Sequence, residues 1–131
     1  MHLDLSKVRV HLIDQGAGPP ILFLHGNPDT AELWRGIISR LEGGYRCLAP
    51  DLPGFGRSER RIPDYSARAH ADYLIQLLDR LAVPRAHFVA FSMGGAVVLE
   101  LAHADPARVA SITMVASLGV QVHGGMGFIE E

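Results

Sequence analysis

The sequence predicts an α/β fold, a three-layer α/β/α sandwich built around a mainly parallel sheet. Short apolar runs of strand length alternate along the chain with segments whose apolar residues recur at helical spacing. Turns rich in glycine and proline separate several of these segments. Such alternation favours right-handed strand–helix–strand crossovers, which give a parallel sheet covered on both faces. In sheets of this kind, chemistry takes place in the loops beyond the carboxyl ends of the strands.

The first third of the chain supplies two strands and a helix. Residues 8–12 alternate apolar and polar side chains, which is typical of a half-buried strand. Residues 21–24 are continuously apolar, as in a strand buried on both faces. An apolar stripe over 33–41 predicts an amphipathic helix, with Asp29 and Glu32 as its capping box.

The remaining elements repeat the pattern. Each apolar run is followed by a turn or by a helical stripe, and a Pro- and Gly-rich turn separates the third strand from the second helix. The predicted elements are a strand at 45–49, a helix over 73–81 with Ser66 as a candidate N-cap, a strand at 87–91, a helix over 93–103 and a strand at 109–116.

Composition places the chain among soluble globular proteins. It has 131 residues, of which 48% are hydrophobic and 20% are charged, and a net charge of −2. We therefore expect one domain with no nucleic-acid partner, no membrane span and a cytoplasmic location, because no basic stripe, long apolar run or secretory leader is present. The lone cysteine, Cys47, lies in an apolar run and is expected to be a buried, inert thiol. No cofactor or metal is expected.

The hexapeptide AFSMGG at 90–95 joins a buried strand to a helix. A serine in such a turn is held in a strained backbone conformation that exposes its hydroxyl at the sheet edge, a nucleophile elbow. Positions two before and two after the serine must be small, and Ala90 and Gly94 meet that need, while Gly95 lets the helix approach the sheet. We predict Ser92 as a catalytic nucleophile. The alternative is a glycine-rich turn whose serine merely caps the helix.

The segment HGNP at 25–28 follows the preceding apolar strand and predicts an oxyanion hole. Acyl transfer needs two N–H donors aimed at the oxygen that becomes negatively charged. We assign them to the backbone of Asn27 and Met93. His25 is a tempting general base, but we expect it to fix the loop by hydrogen bonding, with Gly26 supporting the same turn.

Three ordered motifs, HGNP at 25–28, DLPGFGRS at 51–58 and SMGG at 92–95, resemble those of the α/β-hydrolase superfamily over residues 7–120. The resemblance implies an eight-stranded sheet, a serine–acid–histidine triad and an inserted cap domain. The first two motifs also look like haloalkane dehalogenases and epoxide hydrolases, which use an aspartate nucleophile, so that chemistry is not carried over. The third is closer to esterases, carbon–carbon bond hydrolases and perhydrolases, which remain open alternatives. We expect Asp51 to hold its turn rather than to be the triad acid.

In this family the acid and the histidine base follow the serine along the chain. We therefore expect 1–120 to be the N-terminal half of a hydrolase core, truncated before the last strands. Such a chain would lack its triad acid and base and be nearly inactive alone on a small-molecule substrate. The alternatives are a non-catalytic binding or interaction module and a chimeric, non-functional reading frame.

The glycine-rich tail at 121–131 is similar to a short C-terminal segment of acyl-CoA dehydrogenases that helps to hold FAD. Its origin stays open between a foreign junction and a chance glycine-rich end. We expect no flavin binding, because an isolated segment cannot position a dinucleotide. His123 could substitute as the base, and Glu130 or Glu131 as the acid, but a flexible tail would hold them too loosely for catalysis.

The strand at 109–116 is expected to form an edge of the sheet with both faces apolar. Unpaired strand edges and exposed apolar surface invite pairing with another chain. The sequence therefore predicts poor solubility or self-association through this strand.

Overall fold

The computed structural model describes residues 1–6 and 8–116, and it contains a six-stranded sheet in the order β1-β2-β4-β3-β5-β6. Strands β3 to β6 are parallel to one another, β2 pairs antiparallel with β4, and β1 pairs antiparallel with β2 at the edge of the sheet. No helix among these residues is long and apolar enough to cross a membrane. The elements are β1 His2–Asp4, β2 Arg9–Gln15, β3 Pro20–Leu24, α1 Arg35–Leu41, β4 Arg46–Pro50, α2 Ala67–Arg80, β5 Ala86–Phe91, α3 Met93–Ala104 and β6 Val109–Val115, with 3₁₀ turns at Ala31–Trp34 and Pro106–Arg108.

Helices cover both faces of the sheet, which confirms the predicted three-layer α/β architecture. One face packs on α2 and α3, and its fully buried side chains include Leu22, Leu48 and Phe88. The other face packs on α1 and the 3₁₀ turn before it, where Phe23 lies against Trp34 with ring centroids 5.2 Å apart. Parallel strands need this two-sided burial, and it explains their continuously apolar sequences.

The N-terminus of the first helix differs from its prediction. Thr30, not Asp29, caps the opening 3₁₀ turn, and its hydroxyl accepts a hydrogen bond from Glu32 N at 3.3 Å. Asp29 is held back in the preceding turn, because its own N–H donates to Gly26 O at 2.9 Å. The second helix begins as predicted, with Ser66 Oγ accepting from Ala69 N at 3.1 Å.

Strand β6 is the last strand of the described sheet, but the prediction of two apolar faces is wrong. Ile112 and Met114 pack against the α2/α3 core, whereas Ser111, Thr113 and Val115 are exposed on the opposite face. The two hydroxyl side chains stand two residues apart, which is the period of a half-buried strand. The predicted domain boundary at 120 and the tail at 121–131 lie outside the described residues.

Candidate active site

Ser92 stands between β5 and α3, at the carboxyl edge of the sheet. Its backbone has φ 55° and ψ −122°, a conformation that a residue with a Cβ adopts rarely and at a cost of about 1–3 kcal/mol. The first turn of α3 closes through a hydrogen bond from Gly95 N to Ser92 O at 3.0 Å. The Ser92 side chain makes no capping hydrogen bond to the helix, so the cap interpretation has no support in this geometry.

Two glycines let the chain pack closely around Ser92. A methyl group on Gly26 would lie 2.7 Å from Ser92 Cβ and 3.2 Å from Ser92 Oγ, so the HGNP turn lies directly against the serine. A methyl group on Gly94 would lie 2.9 Å from both the Cβ and the carbonyl oxygen of Leu24, so α3 starts in contact with the end of β3. The two predicted motifs therefore meet at one place.

The predicted oxyanion donors lie on either side of this contact. Asn27 follows Gly26 in the exposed turn after β3, and Met93 follows Ser92 as the first residue of α3. The amide nitrogen of Ser92 donates to Val115 O of β6 at 3.3 Å, which ties the elbow to the neighbouring strand.

His25 is fully buried beneath the turn, and both of its ring nitrogens contact backbone groups. Leu52 N donates to Nε2 at 2.9 Å, and Nδ1 lies 2.7 Å from Gly26 O. Burial lowers the pKa of His25 below its ordinary value, against the opposing effects of the Gly26 carbonyl and of the carboxylates of Asp51 and Asp29. Through these two contacts the ring joins the turn after β4 to the HGNP turn.

Asp51 braces the turn after β4. Its Oδ1 accepts from Ala31 N at 2.7 Å and its Oδ2 from Arg57 N at 2.9 Å, and the residue is only 3% exposed. Gly56, at φ 54°, leaves room for this carboxylate, because a Cβ there would lie 2.5 Å from Asp51 Oδ2. The carboxylate thus joins its own turn to the segment that leads from the HGNP turn into the first helix.

His11 and Ser58 support the turn at Asp51, a role that the sequence analysis did not assign to either residue. His11 lies on β2, with its Nδ1 3.4 Å from Asp51 Oδ2 and its backbone N–H donating to Ser58 Oγ at 2.9 Å. Burial, followed by the positive N-terminus, lowers the pKa of His11 even though Asp51 raises it. Ser58 in turn donates its hydroxyl to Asp51 O. Only the register of β2 against β4 brings His11 to this turn, so no local motif marks it.

An aromatic cluster lies below the same turn. The ring of Phe55 packs edge-on against His25 at 5.4 Å and near His70 at 6.2 Å. His70, on α2, is fully buried, and its Nε2 lies 2.8 Å from Pro53 O. Among residues 1–6 and 8–116, no group of three or more His, Cys, Asp or Glu side chains could hold a metal ion.

Comparison with known families gives a consistent picture. A family described as alpha/beta hydrolase fold matches residues 19–129. Haloalkane dehalogenase 2 of Mycobacterium tuberculosis is 38% identical over 112 residues, which are 85% of this chain and 39% of that protein. A haloalkane dehalogenase of Mycolicibacterium paratuberculosis is 37% identical over 116 residues, with coverages of 85% and 38%. The chain thus spans well under half the length of these relatives.

Solved structures match over most of the described chain. An enzyme that degrades N-acyl homoserine lactones superposes with a TM-score of 0.87 at 30% identity, covering 98% of this chain and 49% of the other. A putative ancestral haloalkane dehalogenase gives a TM-score of 0.83 at 33% identity, with coverages of 89% and 42%. A variant of the meta-cleavage product hydrolase CumD gives 0.85 at 29% identity, with coverages of 89% and 45%.

Proposed function

The chain belongs to the α/β-hydrolase fold family, and we propose that it carries the nucleophile and the oxyanion hole of a serine hydrolase. The observation that carries this proposal is the strained conformation of Ser92 at a strand–helix junction, with the Gly26 backbone packed directly against its side chain. A binding module has no need for both features, because strain of this kind persists where a reactive group must be presented.

The proposed reaction is acyl transfer through a covalent acyl-serine. Ser92 Oγ attacks the carbonyl carbon, its proton passes to a base, and the N–H groups of Asn27 and Met93 hold the resulting oxyanion. Collapse of the tetrahedral intermediate releases the protonated leaving group. Water then hydrolyses the acyl-serine, which regenerates the Ser92 hydroxyl.

We propose that the base and the triad acid come from residues outside 1–116. His25 has both ring nitrogens against backbone groups. His103 is the one described histidine after Ser92, and it lies in the last turn of α3, about 15 Å of helix away. The described residues alone are therefore expected to turn over very little substrate.

The substrate is proposed to be a small, fairly apolar ester, acyl compound or carbon–carbon substrate. Phe55 beside His25 and the exposed Val115 beside Ser92 supply apolar surface near the elbow. The names of the relatives include a lactone-degrading enzyme and a meta-cleavage product hydrolase, which are compatible with an acyl-serine.

Dehalogenation, the activity in the names of other relatives, is a poorer match for Ser92. Displacement of a halide by a serine oxygen would leave an alkyl ether. Water cannot regenerate the serine from an ether by attack on a carbonyl carbon, as it can from the ester that an aspartate nucleophile forms. We therefore expect that this chain does not catalyse the release of halide from haloalkanes.

The test is covalent labelling with a fluorophosphonate probe, with added imidazole as an external base. We expect imidazole to accelerate labelling, and the modified peptide to contain Ser92. Ser92→Ala should abolish labelling, whereas Ser39→Ala, at an exposed helical serine, should leave it unchanged. Labelling that survives Ser92→Ala, or a wild-type chain that imidazole does not activate, would refute the assignment.

We also propose self-association through β6. Val115 O accepts from Ser92 N, so residues 111, 113 and 115 turn their backbone groups towards β5. The backbone N–H and C=O groups of residues 110, 112 and 114 then point to the outer edge, where no described strand pairs with them. Two copies can pair antiparallel about Ile112, which places Ser111 opposite Thr113 of the second copy and brings no charges together.

Sedimentation velocity tests the proposed dimerisation through the edge of β6. We expect a concentration-dependent dimer that Thr113→Lys weakens at least about tenfold, because each lysine would replace a hydroxyl that faces Ser111 of the second copy, and the two lysines would repel each other diagonally across the two-fold axis. Leu99→Lys, at an exposed position on α3, is the matched control and should leave association unchanged. A wild-type chain that stays monomeric at about 100 μM would overturn the proposal.

A further inference from the structure

The hydrogen bonds of His25 fix its tautomer. The Leu52 N–H can only donate, so Nε2 must offer its lone pair at 2.9 Å. In a neutral imidazole the proton then resides on Nδ1, which donates to Gly26 O at 2.7 Å. His25 therefore links the turn after β4 to the peptide group beside Ser92 with one defined polarity.

The acceptor of the Nδ1–H bond is the carbonyl of the Gly26–Asn27 peptide, whose N–H is one of the two proposed oxyanion donors. The Gly26 carbonyl and the Asn27 N–H are parts of one planar unit, so fixing the direction of the carbonyl also fixes that of the N–H. Asp29 N donates to the same carbonyl at 2.9 Å, so two donors hold it. Donation to a carbonyl also polarises its peptide and strengthens the opposite N–H as a donor.

We propose that His25 is a positioning residue that aims the Asn27 N–H at the oxyanion and does so only as the neutral Nδ1–H tautomer. The inference rests on the proposed function, because it assigns His25 a role at the same oxyanion hole. It differs from a general loop-bracing role in naming the Nδ1–H bond as the one that supports reactivity, and the Nε2 bond as the one that anchors the ring.

Protonation would disrupt the arrangement. An imidazolium carries an N–H at Nε2, which would confront the Leu52 N–H without an acceptor between them. The charged or titratable groups that face the ring are Asp51, Asp29 and His70, of which the carboxylates favour the cation and His70 opposes it. Complete burial outweighs the carboxylates, so the neutral form persists to a pH below the ordinary titration of histidine.

Two substitutions separate the two bonds. In His25→Asn the side-chain N–H can replace the Nδ1–H donor to Gly26 O, while the acceptor for Leu52 N–H is lost. In His25→Gln the side-chain oxygen can reach the position of Nε2, while the donor to Gly26 O is lost. The measurements are ¹⁵N NMR of the His25 ring in the wild-type chain, amide shifts of Asn27 and Leu52, and imidazole-assisted labelling of Ser92.

We expect a protonated Nδ1 in the wild-type ring. His25→Gln should move the Asn27 amide shift and slow labelling about tenfold or more, whereas His25→Asn should move the Leu52 shift and keep labelling within about threefold. A protonated Nε2, an Asn27 amide unaffected by His25→Gln, or labelling that follows stability equally in both variants would overturn the inference.

The labelling and NMR results distinguish a failure of the proposed function from a failure of the inference about His25. If labelling survives Ser92→Ala, or if the wild type does not label, the serine hydrolase assignment fails, while the NMR results still decide how His25 holds the peptide. If neither variant folds, the ring tautomer of the wild-type chain decides the inference.

Discussion

The turns after β4 and β5 lie at the same edge of the sheet but are held in opposite ways. The turn over 51–58 is stabilised by polar contacts, with a buried carboxylate accepting two backbone N–H bonds and a serine hydroxyl bridging to β2. The turn at Ser92 has no side-chain cap, and close packing of glycine backbones surrounds a strained residue. We call the turn over 51–58 the brace, because its own polar side chains hold it. The elbow at Ser92 depends instead on the packing of the segments around it.

Under the proposed function, this difference separates the residues that stabilise the fold from the residue that reacts. Bonds at the brace lower the free energy of the folded state, whereas the elbow raises it by the energy of an unfavourable backbone conformation. Substitutions in the brace should therefore damage stability first. Replacing the strained Ser92 by glycine should instead relieve an unfavourable backbone conformation while removing the proposed nucleophile.

The largest effect is expected from Asp51→Ala. It leaves the buried N–H of Ala31 and the partly buried N–H of Arg57 without their acceptor, so the free energy of unfolding should fall by about 2–3 kcal/mol. Urea denaturation measures it, with Asp72→Ala on the exposed side of α2 as the control that should change little. A loss below about 1 kcal/mol would show that the brace is not what holds this turn.

Gly26→Ala tests how much the close packing of the HGNP turn contributes to the elbow. The added methyl group must displace the Ser92 side chain, so we expect a destabilisation of about 1–3 kcal/mol and loss of Ser92 labelling. Gly36→Ala, where the space is open in α1, should instead stabilise by about 0.5–1 kcal/mol. Equal effects of the two substitutions would contradict the close contact.

Acid should weaken the link between the two turns. The pKa values of His25 and His11 are lowered in the folded chain, so the unfolded chain binds more protons as the pH falls through about 6.5. Stability is then complete above the unfolded pKa and is lost below it, with a slope of up to about 1.4 kcal/mol per pH unit for each group. Urea midpoints between pH 8 and pH 5 measure it, and His25→Asn should flatten the curve.

The smallest effect is expected at the serine itself. Both substitutions remove the hydroxyl, but Ser92→Gly also relieves the positive φ, so it should be more stable than Ser92→Ala by about 0.5–1 kcal/mol. Thermal or urea unfolding distinguishes them. If Ser92→Gly is the less stable of the two, the elbow is not strained in solution.

Elements that are marked by a short, continuous sequence pattern could be predicted from the sequence. The strand over 21–24, the N-cap Ser66 and the serine between a strand and a helix follow from short patterns, and the structure has all three. The contact of Gly26 with Ser92 could be anticipated, because both follow parallel strands that end at one edge.

Other features depend on register or on competition between bonds. His11 reaches Asp51 only because β2 pairs antiparallel with β4, which no local pattern encodes. Asp29 could not serve as the N-cap, because its N–H closes the HGNP turn instead. In β6 the hydroxyls of Ser111 and Thr113 carried the two-residue period that the apolar residues around them obscured.

The contact between Gly26 and Ser92 also makes the serine a reporter of folding. The two residues stand far apart in the chain, so they meet only after β3 and β5 have paired. Helices form early and locally, but a chain with helices alone would hold no assembled elbow. The proposed reactivity of Ser92 should therefore appear only once these strands have paired, and the same serine in a partly folded chain should react no faster than an ordinary serine.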